Sequence, residues 1–299
     1  MNVLVLGGNG FIGKNLVKEL TNSNYNVTSF DLNLPIQRVE GVNYIQGNFF
    51  DEAMLDYLTE NINVIFHAIS SINPGNSNQK YMEGYENDLI YTIKLCRIVK
   101  NKNIKMIFLS SGGTVYGNQE VQPITEEAMT HPINHYGNLK LCIENTMRTF
   151  NCQENTKIII ARIANPYGVG QDFKKGVGFI DAVLKKGISN ETIEIFGKGD
   201  IIRDYIYIDD VCKMLIALIP YTGLYEVFNI SSGIGYSQKE IINFAREWIP
   251  NLKISFQNPR TIDVKKIVLD NSRIKHIYNS DLISLYKGME IYFRYLKLK

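Results

Sequence analysis

The chain has 299 residues, 45% hydrophobic and 21% charged, which supplies apolar material for a large core and excludes a disordered protein. Thirty-two Lys and Arg against 30 Asp and Glu leave a net charge of +2, which gives no support to a basic nucleic-acid binder. Four dispersed cysteines without a C-x-x-C pair argue against a disulfide framework or zinc site and point to a reducing cytoplasm, and no run suits a membrane span or signal peptide.

Short β-branched runs at 3–6, 27–30, 42–45, 64–66, 106–109 and 158–161 predict strands. Between them, Phe11, Ile12, Leu16, Val17 and Leu20 fall at helical spacing, as do Leu89, Ile93, Leu95, Cys96 and Val99. A third helix is read over 135–150. The alternation predicts an α/β protein with a parallel sheet, and the almost wholly apolar strands predict burial on both faces. After Pro166 the pattern loosens into a glycine-rich stretch, a helix at 179–186 and an extended segment at 192–196. A helix at 209–219, with Asp209 and Asp210 in its first turn, precedes a strand at 226–230 that returns to the sheet. A last helix at 237–248 opens on Ser237 with Glu240 at capping-box spacing. The expected division is a dinucleotide-binding unit at 1–165 to which 203–232 returns, with 166–202 and 233–299 forming a smaller interleaved lobe.

The first strand runs directly into Gly7-Gly8-Asn9-Gly10-Phe11-Ile12-Gly13 and then a helix. Glycines at 7, 10 and 13 let a pyrophosphate approach the backbone, and the helix start offers unpaired N–H groups and positive potential. Asp31 ends the second strand at the distance suited to a carboxylate that accepts both ribose hydroxyls of an adenosine. A carboxylate there repels a 2′-phosphate, which favours NAD over NADP.

Tyr136 and Lys140 lie four apart on the helix that follows the fifth strand, just downstream of a Ser/Thr-rich turn. An ammonium beside a phenol favours the phenolate and predicts a Tyr136 pKa below its usual value near 10, suited to taking a proton from an alcohol. Tyr295 and Lys299 have the same spacing without such surroundings, and are read as coincidence.

With these motifs the sequence resembles the extended short-chain dehydrogenase/reductases, in particular their nucleotide-sugar epimerase branch. The resemblance spans essentially the whole chain, also through Gly47-Asn48-Phe49-Phe50-Asp51, Phe66-His67-Ala68, Asn87, the turn from Ser110 to Gly117, Ala164-Asn165-Pro166-Tyr167-Gly168, Arg203-Asp204-Tyr205 and Arg260-Thr261-Ile262-Asp263. It implies a Rossmann doubly wound sheet with a smaller α/β substrate lobe. It implies that Gly7, Gly10, Phe11, Ile12 and Gly13 hold the NAD pyrophosphate, and that Asp31 and Asn33 hold the adenosine ribose. Asn48 (in place of the usual Asp) and Phe49 would bind adenine, with Ala68 and Asn87 beside the cofactor and Lys140 on the nicotinamide ribose. Asn165, Arg203, Arg260 and Asp263 would grip the diphosphate and nucleoside of a UDP-sugar.

One departure stands out. The resemblance places a Ser or Thr four residues before Tyr116, where this chain has Gly112, so Ser111 and Thr114 are the candidates to bond the reacting sugar hydroxyl. Gly112-Gly113-Thr114 also lacks the acid that a nucleotide-sugar dehydratase needs. The expected reaction is inversion at C4 through a 4-keto sugar, with Tyr136 as base, NAD as hydride carrier and no metal. A net C4 dehydrogenase or reductase, and a non-catalytic dinucleotide-binding regulator, are the alternatives. Ile267 is expected near the sugar 2-substituent, and the apolar stripes at 89–99 and 139–147 as a homodimer face.

Overall fold

The computed structural model describes residues 1–258 and 264–298. Its first half is a run of strands and helices: β1 (Asn2–Leu6), α1 (Phe11–Asn22), β2 (Asn26–Asp31), β3 (Asn43–Gln46), α2 (Glu52–Leu58), β4 (Val64–His67) and α3 (Ser77–Glu83). A single π-helical turn, Gly84–Leu89, leads into α4 (Ile90–Lys102), followed by β5 (Lys105–Ser111), the short α5 (Gly112–Val115), α6 (His135–Glu154) and β6 (Lys157–Ile163). The remainder comprises β7 (Asn165–Tyr167), α7 (Phe179–Ile188), β8 (Ile193–Phe196), β9 (Ile202–Tyr207), α8 (Ile208–Ala217) and β10 (Val227–Ile230). It ends with β11 (Gly235–Ser237), α9 (Gln238–Trp248), β12 (Ile254–Gln257), β13 (Lys266–Ile267), α10 (Ser272–Lys275) and α11 (Leu285–Lys297).

Seven strands form the main sheet in the order β10, β6, β5, β4, β1, β2, β3, all parallel. This is the doubly wound arrangement, and its reversal point lies between β1 and β4. Successive residues of each central strand enter opposite cores, which explains why these strands read as unbroken apolar runs. Val3 and Val5 join one core with Leu16 and Val17 of α1 and Val211 of α8. Leu4 and Leu6 join the other with Leu95 and Val99 of α4 and Leu139, Ile143 and Met147 of α6. The stripes expected to form a dimer face are therefore largely spent inside the chain's own core. Each such side chain stabilises the fold by about 1.5–3 kcal/mol on burial.

The chain leaves the sheet after Ile163. β9 is the centre of a second, smaller sheet that pairs with β7, β11 and β13, while β12 pairs β8 separately. Of the returning segment, β9 thus lies in the second sheet, and β10 pairs β6 as the seventh strand of the first. Ser237 and Glu240 make the expected reciprocal cap on α9. No helix among the described residues is long and apolar enough to cross a membrane.

Candidate active site

The glycine loop is built by close backbone contact. The Gly7 and Gly8 amides donate to the Phe30 carbonyl at 2.8 and 3.1 Å, folding the loop over the end of β2. Gly7 takes φ +84°, and a Cβ on Gly13 would overlap the Gly7 carbonyl oxygen, so helix and turn meet only because both are glycine. Gly10 caps α1 without a side-chain bond, and the first turn carries no acid. The opening amides of α1, at Phe11, Ile12 and Gly13, are thus available to an anion. Asp31 Oδ2 accepts the Asn9 N–H at 2.9 Å, and Asn9 Nδ2 donates to the Asn33 carbonyl at 3.3 Å. The expected ribose carboxylate is thereby oriented by the loop itself. The Ala68 amide, which donates to the Leu6 carbonyl at 2.9 Å, brings the end of β4 alongside. This cradle fits a dinucleotide pyrophosphate.

At the adenine end, Asn48 is exposed, and its amide oxygen accepts the Phe50 N–H at 3.0 Å. The Phe49 ring is buried against His67, 5.1 Å between centroids. What Phe49 offers a cofactor is therefore its backbone. His67 donates or accepts through Nε2 with the Thr92 hydroxyl at 2.9 Å, and burial, helped by Lys140, pushes its pKa down to about 3.

Asn134 caps α6 by accepting the Gly137 N–H at 2.8 Å, which sets the register of Tyr136 and Lys140. The Lys140 ammonium is buried, donates to the Leu109 carbonyl at 3.2 Å and lies 4.7 Å from the Phe108 ring and 5.6 Å from that of Tyr136. Burial pulls its pKa down to about 8, opposed by the charges of Asp88 and Glu144. Burial, with Asp88 adding to it, raises the Tyr136 pKa above its ordinary value. This reverses the expected direction: desolvation of the phenolate governs.

Gly137 seats against the Thr114 carbonyl, bringing α5 up beside Tyr136. Thr114 Oγ1 lies 3.5 Å from the Ser111 carbonyl, a weak restraint that leaves its hydroxyl usable, and Ser111 closes β5 half-buried. Asn165 Nδ2 donates to the Asp204 carbonyl at 3.0 Å, tying β7 to β9 on the neighbouring side. Arg203 stands in β9 opposite Ile267 of β13. Ile267 is 1% exposed and packs in the core, so it is not a wall of an open pocket. Asp204 accepts from the Ser232 N–H and hydroxyl, the Gly233 N–H and the Leu269 N–H. Burial pushes its carboxyl up to about 6 in spite of these donors. Arg260 and Asp263 lie outside the described residues.

Two groups were not anticipated. Asn87 is only half-buried, whereas its neighbour Asp88 is buried. Asp88, Thr92, Leu95, Cys96 and Val99 share the inward stripe, a spacing visible in the sequence. Beneath the pair, the buried Glu144 and Arg162 form an ion pair at 2.6 Å, joined by the Ser110 hydroxyl.

A profile of the NAD dependent epimerase/dehydratase family matches residues 3–231. The chain is 28% identical to a UDP-glucose 4-epimerase of Bacillus subtilis, over 92% of this chain and 90% of that protein. It is 32% identical to a dTDP-4-dehydro-6-deoxyglucose reductase of Escherichia coli, over 91% of this chain and 89% of that one. Its fold superposes with TM-score 0.92 on a crystal structure of UDP-glucose 4-epimerase with UDP-glucose from Thermotoga maritima, 29% identical and covering 100% and 99% of the two chains. With the glycine cradle and the Tyr136 and Lys140 helix in place, the chain is an enzyme that belongs to the NAD-dependent epimerase/dehydratase family.

Proposed function

We propose that the enzyme interconverts C4 epimers of a nucleotide-diphosphate sugar, with a UDP-hexose or its N-acetyl form as substrate. The observation that carries this reading is the grouping of Tyr136, Lys140 and Thr114 at the carboxyl end of β5, in the same parallel sheet whose β1 leads into the open start of α1. Bound NAD supplies the hydride acceptor and, once reduced, the donor, which the glycine loop and Asp31 would hold. Tyr136, brought to its phenolate against the pull of burial by Lys140 and the positive charge of the bound nicotinamide, would take the proton of the C4 hydroxyl and return it after the 4-keto sugar has turned over. Lys140 holds positive charge beside that oxygen. Thr114 or Ser111 orients the hydroxyl that Gly112 cannot reach. Asn165 and Arg203, with Arg260 and Asp263, grip the nucleotide diphosphate so that the sugar alone rotates. A homodimer, a cytoplasmic setting and supply of sugars for polysaccharide synthesis belong to the same proposal.

Incubation of the purified protein with UDP-glucose, UDP-galactose and their N-acetyl forms is expected to yield the 4-epimer of at least one. Tyr136→Phe is expected to slow that conversion by about a thousandfold. Failure of every nucleotide sugar to epimerise, with Tyr136→Phe unchanged, overturns the reading. The similarity to a 4-keto sugar reductase supports a second outcome at the same site, net reduction. Stoichiometric loss of NADH with a nucleotide-linked 4-keto sugar would favour it.

A further inference from the structure

We propose that Asp88 is a positioning residue of the site: clamped on the π-helical turn by Ser70 and Ser71, its carboxylate is the counter-charge that keeps Lys140 an ammonium beside Tyr136. The inference rests on the reading of Tyr136 and Lys140 as the proton-exchanging pair. The turn that carries Asp88 is anchored to α6 between Tyr136 and Lys140. Gly84 seats against Leu139 and Ile72, and the Tyr85 hydroxyl accepts from Asn138 Nδ2 at 2.6 Å. A π turn carries one more residue per hydrogen-bonded ring than an α-helix, and such turns collect at functional sites. Here it delivers a buried acid to the loop after β4. Asp88 Oδ2 accepts from the Ser70 hydroxyl at 3.0 Å and the Ser71 N–H at 2.8 Å, and Oδ1 from the same N–H at 3.1 Å. These donors are neutral, so the clamp fixes the carboxylate without cancelling its charge.

The groups that face Lys140 leave this role to Asp88. From β4 comes His67, which burial keeps neutral. From β5 come the Phe108 ring and the Leu109 carbonyl, which offer partial charges only. On its own helix stand the Tyr136 phenol and Glu144, and Glu144 is held by Arg162 of β6 and Ser110. Asp88 is the first of the two carboxylates that raise the Lys140 pKa against burial. An unpaired ammonium in a dry site sheds its proton, whereas an opposite charge close by retains it.

The test is an NMR titration of the Lys140 ε-carbon in the full chain, assigned with Lys140→Met, beside the pH dependence of turnover. In the parent protein the lysine is expected to titrate near 8. Asp88→Asn, which keeps shape and removes charge, is expected to lower that midpoint by about one pH unit, and the alkaline limb of turnover with it. Ser70→Ala, which loosens the clamp and keeps the charge, is expected to leave the midpoint nearly in place. An unchanged midpoint in folded Asp88→Asn, or equal shifts in both variants, overturns the proposal. Absence of turnover in the parent protein overturns the reading of the pair, while the titration still decides Asp88.

Discussion

Gly112 sits with its α-carbon beneath Leu269, so that a Cβ there would overlap Leu269 Cδ1 and lie 3.1 Å from the Arg162 carbonyl oxygen. The missing hydroxyl is therefore a consequence of packing between α5 and the segment after β13. Gly112→Ser is expected to destabilise the protein by about 1–3 kcal/mol by overpacking and to bring no gain in turnover. Gly113→Ser, whose Cβ would stand 3.6 Å from the Asn165 side chain, is expected to fold normally. Urea midpoints and turnover of the two variants check this. The places of Gly7, Gly13, Asp31, Tyr136 and Lys140 in the fold were legible from spacing. The sequence was not legible where burial decides. The i, i+4 spacing of Tyr136 and Lys140 says nothing of the desolvation that raises one pKa and lowers the other. Asn87 was singled out by the family resemblance, and nothing in the sequence marked its neighbour Asp88 as the buried one.

Among the elements, α6 carries the most consequence, since one helix presents Tyr136 and Lys140 and is bolted to the sheet one turn further on. Arg162 Nε donates to both Glu144 oxygens at 3.2 and 3.1 Å, and neither residue is more than 3% exposed. Glu144→Ala leaves a buried guanidinium unpaired and is expected to cost about 3–5 kcal/mol in chemical denaturation. Replacing both partners with Met is expected to restore most of that stability, because an apolar pair avoids the desolvation of two charges. The strands of the main sheet and helices such as α1 and α9 were readable from apolar period and caps. β11 and β13 were not. They span three and two residues and exist through pairing with β9 across long stretches of chain, which no local pattern records.

For the molecule as a whole, the buried His67 couples folding to acidity. Its pKa is about 3 in the fold against 6.5 for an unperturbed imidazole, so the unfolded chain binds the proton more readily. The stabilisation is full above about pH 6.5 and is lost as pH falls towards 3, at up to about 1.4 kcal/mol per pH unit. His67→Gln removes this titration, and its acid unfolding profile is expected to be flatter than that of the parent protein over the same range. The order of the strands has a further consequence, which concerns time. β6 receives its outer neighbour only when β10 has been made, about sixty-five residues later, so at about 5–20 residues per second its edge stays open for about 3–13 seconds. During synthesis that edge, with its run of isoleucines, is a template for pairing with another nascent chain, and closing it is the work of a four-residue strand that lies beyond the first excursion into the second lobe.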